Sequence, residues 1–259
     1  VAEIAGRLHA YGMDDVLLYV GENLSYKNEK IFVKKPAELL DYQGDALSVL
    51  CAYNEKAVPH PATHGFPDEA FIRGKAPMTK TEVRTVSLGK LRLTEDAVCY
   101  DVGAGTGSVS IEMAMRAFKG KVYAIEKKEE AASLLEENRK KFAADNLTVI
   151  RGTAPEAMRD LPAPTHAFIG GSSGNLKDII RLLLEKNRNV RMVINCITLE
   201  TVGEAMECIQ ELQAADESAV WETEIVQLAV SRSKNVGRYH MMMGENPIYI
   251  ITIQQEETQ

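Results

Sequence analysis

No stretch of this chain approaches the ~20 consecutive apolar residues that a bilayer-spanning helix needs. The opening residues Val1 to Gly12 also lack the basic-then-apolar layout of a secretion signal. No CxxC pair is present. Cys51, Cys99, Cys196 and Cys208 stand far apart in apolar surroundings, which reads as reduced core thiols of a cytoplasmic protein rather than a zinc or redox centre. Aromatic residues amount to only 6% of the chain and no Asn-Pro-Pro-Tyr type motif occurs, so platforms for stacking RNA bases are scarce. An excess of positive charge is missing too. The formal balance of -7 argues against a broad nucleic-acid or anionic-membrane surface, so any anionic ligand must be gripped locally. Internal repeats and low-complexity tracts are absent.

What is present is ordinary globular material, 45% apolar and 26% charged over 259 residues. At roughly 150 residues per domain, that length predicts one to two domains. Ile4 and Leu8 lie one helical turn apart, and Val16 to Val20 and Ala46 to Ala52 read as strands. A loop at Gly21 to Tyr26 and a short helix at Pro36 to Leu40 lie between them. This core is too small to be comfortable alone, so residues 1–56 read as the tail of a larger domain. Prolines concentrate from Ala57 to Asp68 and mark a junction, which makes 57–76 a linker and arm. From Pro77 the pattern is regular. Thr79 is placed to cap a helix through Val83, Val86 and Leu91, after which strands and helices alternate. The strands are Val98 to Val102, Lys121 to Glu126, Leu147 to Arg151, His166 to Gly170 and Arg191 to Ile197. Such alternation implies right-handed crossovers and a parallel sheet covered on both faces. Thr223 to Ser231 and Ile248 to Gln254 have no helix between them and suggest an appended antiparallel pair.

The chemistry concentrates at Val98-Cys99-Tyr100-Asp101-Val102-Gly103-Ala104-Gly105-Thr106-Gly107-Ser108. A buried strand runs into a loop with three glycines at alternate positions, and a helix starts near Ser108. Glycine permits a tight turn and close approach of a ligand, and the helix start offers unpaired N–H donors. A dinucleotide fingerprint would place glycine at position 108, where this chain has serine. The spacing therefore leans away from NAD and towards S-adenosyl-L-methionine. The second strand ends in Glu126, where an acid can accept ribose hydroxyl hydrogen bonds, the alternative being a solvated strand-end carboxylate.

Two loops share this edge. Gly152-Thr153-Ala154-Pro155 leaves room for a flat adenine at Ala154, unless it is simply a strand-to-helix turn. Gly170-Gly171-Ser172-Ser173-Gly174 borders the place of a methyl acceptor. The loop from Ser231 to His240 carries Arg232, Lys234, Arg238 and His240 with no acid among them. It is either a solvated basic hairpin or a site for a polycarboxylate, since guanidinium groups pair bidentately with carboxylates. Met241-Met242-Met243 reads as packing material in a core or subunit contact.

Several stretches together resemble the CbiT family, the decarboxylating cobalt-precorrin-6B (carbon 15) methyltransferases of vitamin B12 biosynthesis. They are Phe66-Pro67-Asp68-Glu69-Ala70-Phe71-Ile72-Arg73, Pro77-Met78-Thr79-Lys80-Thr81-Glu82-Val83-Arg84, Asp101 to Ser108 and Gly170 to Gly174. Val20-Gly21-Glu22-Asn23-Leu24-Ser25-Tyr26 resembles the end of CbiE, the carbon 5 methyltransferase of the tetrapyrrole methylase fold. The combination is similar to bifunctional precorrin-6Y C(5,15)-methyltransferases (decarboxylating), the CobL type. With the amino-terminal part of the CbiE unit missing, the expected activity is carbon 15 methylation and decarboxylation alone.

The resemblance implies a class I Rossmann-like methyltransferase over 77–259, with a mostly parallel seven-stranded sheet and a small α/β fragment before it. It implies a homotetramer, a precorrin or cobalt-precorrin substrate, and S-adenosyl-L-methionine held by Thr79, Gly103, Ala104, Gly105, Thr106, Gly107, Glu126 and Ala154. Arg232 and Arg238 are assigned to the substrate's carboxylates, and Gly171, Ser172, Asn195 and Thr198 are placed near the macrocycle. No protein metal site, nucleic acid or membrane partner is expected. The competing readings are a class I methyltransferase acting on RNA or protein, and a nicotinamide-binding or non-catalytic module.

Overall fold

The computed structural model describes residues 1–57, 63–215 and 219–255. The chain divides into two compact units, 1–62 and 63–259. Residues 58–62 of the proline-rich junction lie outside the described residues.

In the first unit, helix α1 (Ala2–Ala10) accompanies the antiparallel strands β1 (Leu17–Glu22), β2 (Lys30–Lys34) and β3 (Ser48–Tyr53), in the order β2-β1-β3. Ala5, Val16, Leu18, Val20 and Leu39 form its small core. Strand β2 escapes the sequence reading, because five residues bounded by lysines carry too little periodic signal. Cys51 is exposed on β3 and is not a core thiol, since alternation along the edge strand turns it away from Leu18 and Val20.

The second unit runs α2 (Thr81–Leu91), β4 (Val98–Val102), α3 (Ser108–Arg116), β5 (Lys121–Glu126), α4 (Glu129–Lys141), β6 (Leu147–Arg151), β7 (His166–Ile169), α5 (Leu176–Lys186), β8 (Arg191–Cys196) and α6 (Leu199–Ala215). It ends with β9 (Trp221–Leu228), β10 (Ser231–Val236), β11 (Tyr239–Gly244) and β12 (Ile248–Gln255). Seven strands form one sheet in the order β6-β5-β4-β7-β8-β12-β9. The first five are parallel, and β12 enters antiparallel between β8 and β9.

Side-chain alternation divides this sheet's core in two. Cys99, Val122, Ala124, Phe168 and Val193 face the α2–α4 layer with Leu91, Ile111 and Leu135. Tyr100, Val102, Ile125, Ala167 and Ile194 face α5 and α6 with Ile179, Ile180, Leu183 and Ile209. Burial on both faces explains the near-continuous apolar strands, and each buried Leu or Ile contributes about 1.5–3 kcal/mol. No helix among the described residues is long and apolar enough to cross a membrane.

Three local expectations are corrected. Helix α2 begins at Thr81 and Thr79 does not cap it. The Asp68 carboxylate accepts the Thr81 N–H at 3.0 Å and its hydroxyl at 2.9 Å, so the cap comes from the arm. The basic segment after β9 is not a loop but the first half of the β10–β11 ribbon, registered Arg232↔Met243 to Val236↔Tyr239. Met241, Met242 and Met243 are 50%, 63% and 49% exposed and belong to no core. Among the described residues that ribbon is a two-stranded sheet of its own.

Candidate active site

Strands β4 and β5 run side by side from Val98↔Lys121 to Val102↔Ile125, which brings their carboxyl ends together. The loop after β4 folds back over β5. The N–H groups of Gly103 and Ala104 donate to the Ile125 carbonyl at 3.0 and 3.1 Å. Glu126 closes β5, is 7% exposed, and accepts the Gly105 N–H at 2.9 Å on Oε2 and the Lys128 N–H at 2.8 Å on Oε1. Each carboxylate oxygen thereby keeps a lone pair for a further donor.

The glycines are needed for protein packing as much as for a ligand. Gly103 has φ +74, and a Cβ there would lie 2.6 Å from the Gly171 carbonyl oxygen. A Cβ on Gly105 (φ +57) would lie 2.5 Å from the Pro77 oxygen, and one on Gly107 2.6 Å from Leu135 Cγ. The loop is thus clamped between the segment after β7, the arm and α4. Of the glycines that line the cavity described next, Gly171 alone has open space where a Cβ would point.

These segments enclose a cavity of about 470 Å³, within the ~300–1,000 Å³ range of small-molecule sites. Of the residues singled out in the sequence, Thr79, Gly103, Ala104, Gly105, Glu126, Ala154, Gly171, Ser172 and Asn195 line it. Thr106, Gly107, Thr198, Arg232 and Arg238 do not. Thr106 is buried behind the loop with its hydroxyl unpartnered, and Gly107 starts α3. Thr198 accepts the Thr201 N–H at 3.3 Å at the start of α6. Arg232 is held by Glu82, by Glu245 at 2.9 Å and near Asp68 at 3.7 Å. Arg238 sits at the end of the exposed ribbon, 5.1 Å from the Tyr239 ring centroid.

Sequence reasoning missed Pro77, Met78, Lys80, Glu245 and Asn246, which also line the cavity. Lys80 stands beside Thr79 and could have been found from the Thr-Lys-Thr-Glu stretch, whereas Glu245 and Asn246 carry no local signal. Behind the cavity, Asp101 is wholly buried against Ser110. Burial pushes its carboxyl up to about 7, with the Glu126 charge adding to the rise and the Ser110 hydrogen bonds opposing it. No cluster of three or more His, Cys, Asp or Glu side chains among the described residues is arranged to hold a metal ion.

The chain matches a family model described as a precorrin methyltransferase domain over residues 69–255. A probable cobalt-precorrin-6B C(15)-methyltransferase (decarboxylating) of Pyrobaculum calidifontis is 42% identical over 194 residues, 74% of this chain and 96% of that protein. The crystal structure of a precorrin-6Y C5,15-methyltransferase from Geobacter metallireducens aligns with a TM-score of 0.68 at 36% identity, over 74% of this chain and 97% of its own. A precorrin 8W decarboxylase from Methanobacterium thermoautotrophicum aligns with a TM-score of 0.65 at 35% identity, over 72% and 98% respectively.

Proposed function

This chain belongs to the precorrin methyltransferase domain family, and from that premise we propose that its second unit methylates carbon 15 of a precorrin or cobalt-precorrin macrocycle, using S-adenosyl-L-methionine, and removes carbon dioxide from the ring C acetate. The observation that carries the reading is Glu126, fixed by the Gly105 and Lys128 N–H groups on the wall of a cavity bounded by Gly103 to Gly105. A fixed acceptor at the end of the second parallel strand suits a ribose diol, and the glycine loop beside it suits an amino-acid tail.

S-Adenosyl-L-methionine, when bound, supplies an activated methyl group, so the protein's part is alignment and exclusion of water. Glu126 and the Gly103–Gly105 backbone hold the sugar and tail, Ala154 leaves space for the adenine, and Thr79 closes the arm side. Gly171, Ser172 and Asn195 border the half that receives the macrocycle. Withdrawing a substrate carboxylate from water in this half favours its departure. The first unit is read as the end of a CbiE-like domain, and a homotetramer is part of the same reading.

Calorimetry tests the site. The chain should bind S-adenosyl-L-methionine and not NADH, and Glu126→Ala should weaken that binding about 10–100-fold, the ~1.5–3 kcal/mol of hydrogen bonds to a charged group. Affinity unaltered in the variant would reject the ribose role. Mass spectrometry of product from a carbon-5-methylated precorrin should show one methyl gained and carbon dioxide lost.

A further inference from the structure

Five titratable side chains line the cavity, Lys80, Glu126, Lys127, Lys128 and Glu245, and only two of them are carboxylates. Glu126, Lys127 and Lys128 gather at the end of β5, and Lys80 is tied to Asp68 at 3.4 Å. Glu245 stands at the other end, just before β12. The sheet order β5-β4-β7-β8-β12 puts four strand steps between β5, which ends in Glu126, and β12, which Glu245 precedes, on the order of 19 Å between the strands at ~4.8 Å per step. Glu245 therefore shares the acceptor half with Asn195, Asn246 and Ile248.

Its mounting is specific. The Glu245 N–H donates to the Val230 carbonyl at 2.8 Å, which fixes the backbone across the base of the ribbon. Oε1 is 2.9 Å from Arg232 Nε, an ion pair without the alignment of a hydrogen bond. Arg232 is held in turn by Glu82. A carboxylate facing a polyanionic substrate works against binding, so its presence asks for a chemical reason.

Proton balance supplies one, resting on the function proposed above. Loss of carbon dioxide breaks the bond between the acetate's methylene and carboxylate carbons and leaves the electron pair in the conjugated ring. A C–H bond must then form at the methylene, consuming one proton, to give a methyl group. Replacement of hydrogen by methyl at the ring carbon releases one proton. The two steps balance with no outside acid if one side chain takes up the released proton and hands it on. We propose that Glu245 is that proton carrier, a catalytic residue of the acceptor half, and that Arg232 positions it.

The test uses the full chain with Glu245→Gln and Glu245→Asp. By calorimetry, both should bind S-adenosyl-L-methionine as the unaltered chain does. Glu245→Gln should bind the carbon-5-methylated precorrin, without cofactor, equally or more tightly, because one repelling charge is gone. Its kcat should fall roughly 100-fold or more, within the ~10²–10⁴ that a positioned acid–base group contributes, with Glu245→Asp intermediate. With substrate deuterated at the methyl-accepting carbon, part of the label should appear in the new methyl group with the unaltered chain and none with Glu245→Gln. Full kcat in Glu245→Gln, or no label transfer by the unaltered chain, overturns the proposal. Failure of the unaltered chain to bind S-adenosyl-L-methionine would instead overturn the function on which it rests.

Discussion

Arg84 Nε lies 2.6 Å from Glu112 Oε1, and neither side chain has any exposure to solvent. The pair ties α2 to α3. Arg84 also donates to the Thr79 carbonyl at 2.6 Å and to the Phe66 carbonyl, and its guanidinium carbon is 4.8 Å from the Phe71 ring centroid. Glu112 accepts the N–H groups of Gly65 at 2.6 Å and Phe66 at 3.1 Å. Thr79 lines the cavity, so this buried network fixes one wall of the site without touching its contents.

Arg84→Met should therefore destabilise the second unit by about 3–5 kcal/mol in urea unfolding, because it strands a buried carboxylate. Arg84→Met combined with Glu112→Leu should recover part of that loss, since the uncompensated charge is gone. Recovery stays incomplete because the Gly65 and Phe66 N–H groups lose their acceptor, at about 1–3 kcal/mol each. A double variant no more stable than Arg84→Met would show that charge burial is not the dominant cost.

Asp101 gives the fold a pH dependence of known sign. Its carboxyl is raised from 3.8 to about 7, so between these values the folded state holds a proton that the unfolded chain has released. The stability that this carboxyl contributes is complete below about pH 4 and is lost as pH rises from there to about 7. Asp101→Asn keeps an acceptor for Ser110 and removes the titration. Urea midpoints for this variant should vary less across the window than those of the unaltered chain and lie above them at pH 8.

How much of this was legible beforehand depends on the range over which each feature is encoded. The five parallel strands follow from short apolar runs, and the helices between them from a period of 3.6, each within a single segment. Glu126 and the loop from Gly103 to Gly107 follow from one strand–loop–helix pattern and the next strand's last residue. Asp68, Arg84 and Glu112 were unreadable as a unit, because no local pattern joins residues so far apart. Thr79 was misread as a cap because the carboxylate that serves α2 comes from Asp68. Glu245 lies between a ribbon and a strand, where only tertiary placement shows that it reaches the cavity.

Gly103→Ala should damage both fold and site. The new Cβ would meet the Gly171 carbonyl oxygen at 2.6 Å and its nitrogen at 2.9 Å, and φ +74 is strained for any L side chain. Neither atom is a side-chain end that swings aside, so the two loops must separate. A lower melting temperature and at least a tenfold weaker affinity for S-adenosyl-L-methionine are expected. Gly171→Ala is the control for folding, because nothing lies within 4 Å of its would-be Cβ. Its melting temperature should match the unaltered chain, and an effect confined to ligand binding would mark that spot as occupied in the complex.

The two arginines of the ribbon should separate in the same assay. Arg232 is balanced by Glu82 and Glu245, so Arg232→Ala leaves two carboxylates facing each other at the ribbon base and should lower both stability and kcat. Arg238 donates to the Tyr239 hydroxyl at 2.8 Å and faces solvent, where its charge remains available to a polycarboxylate. Arg238→Ala should leave the melting temperature and cofactor affinity unchanged and raise the KM for the precorrin about 10–100-fold, as expected for one lost charge-assisted contact of ~1.5–3 kcal/mol. An unchanged KM would remove Arg238 from the substrate's path.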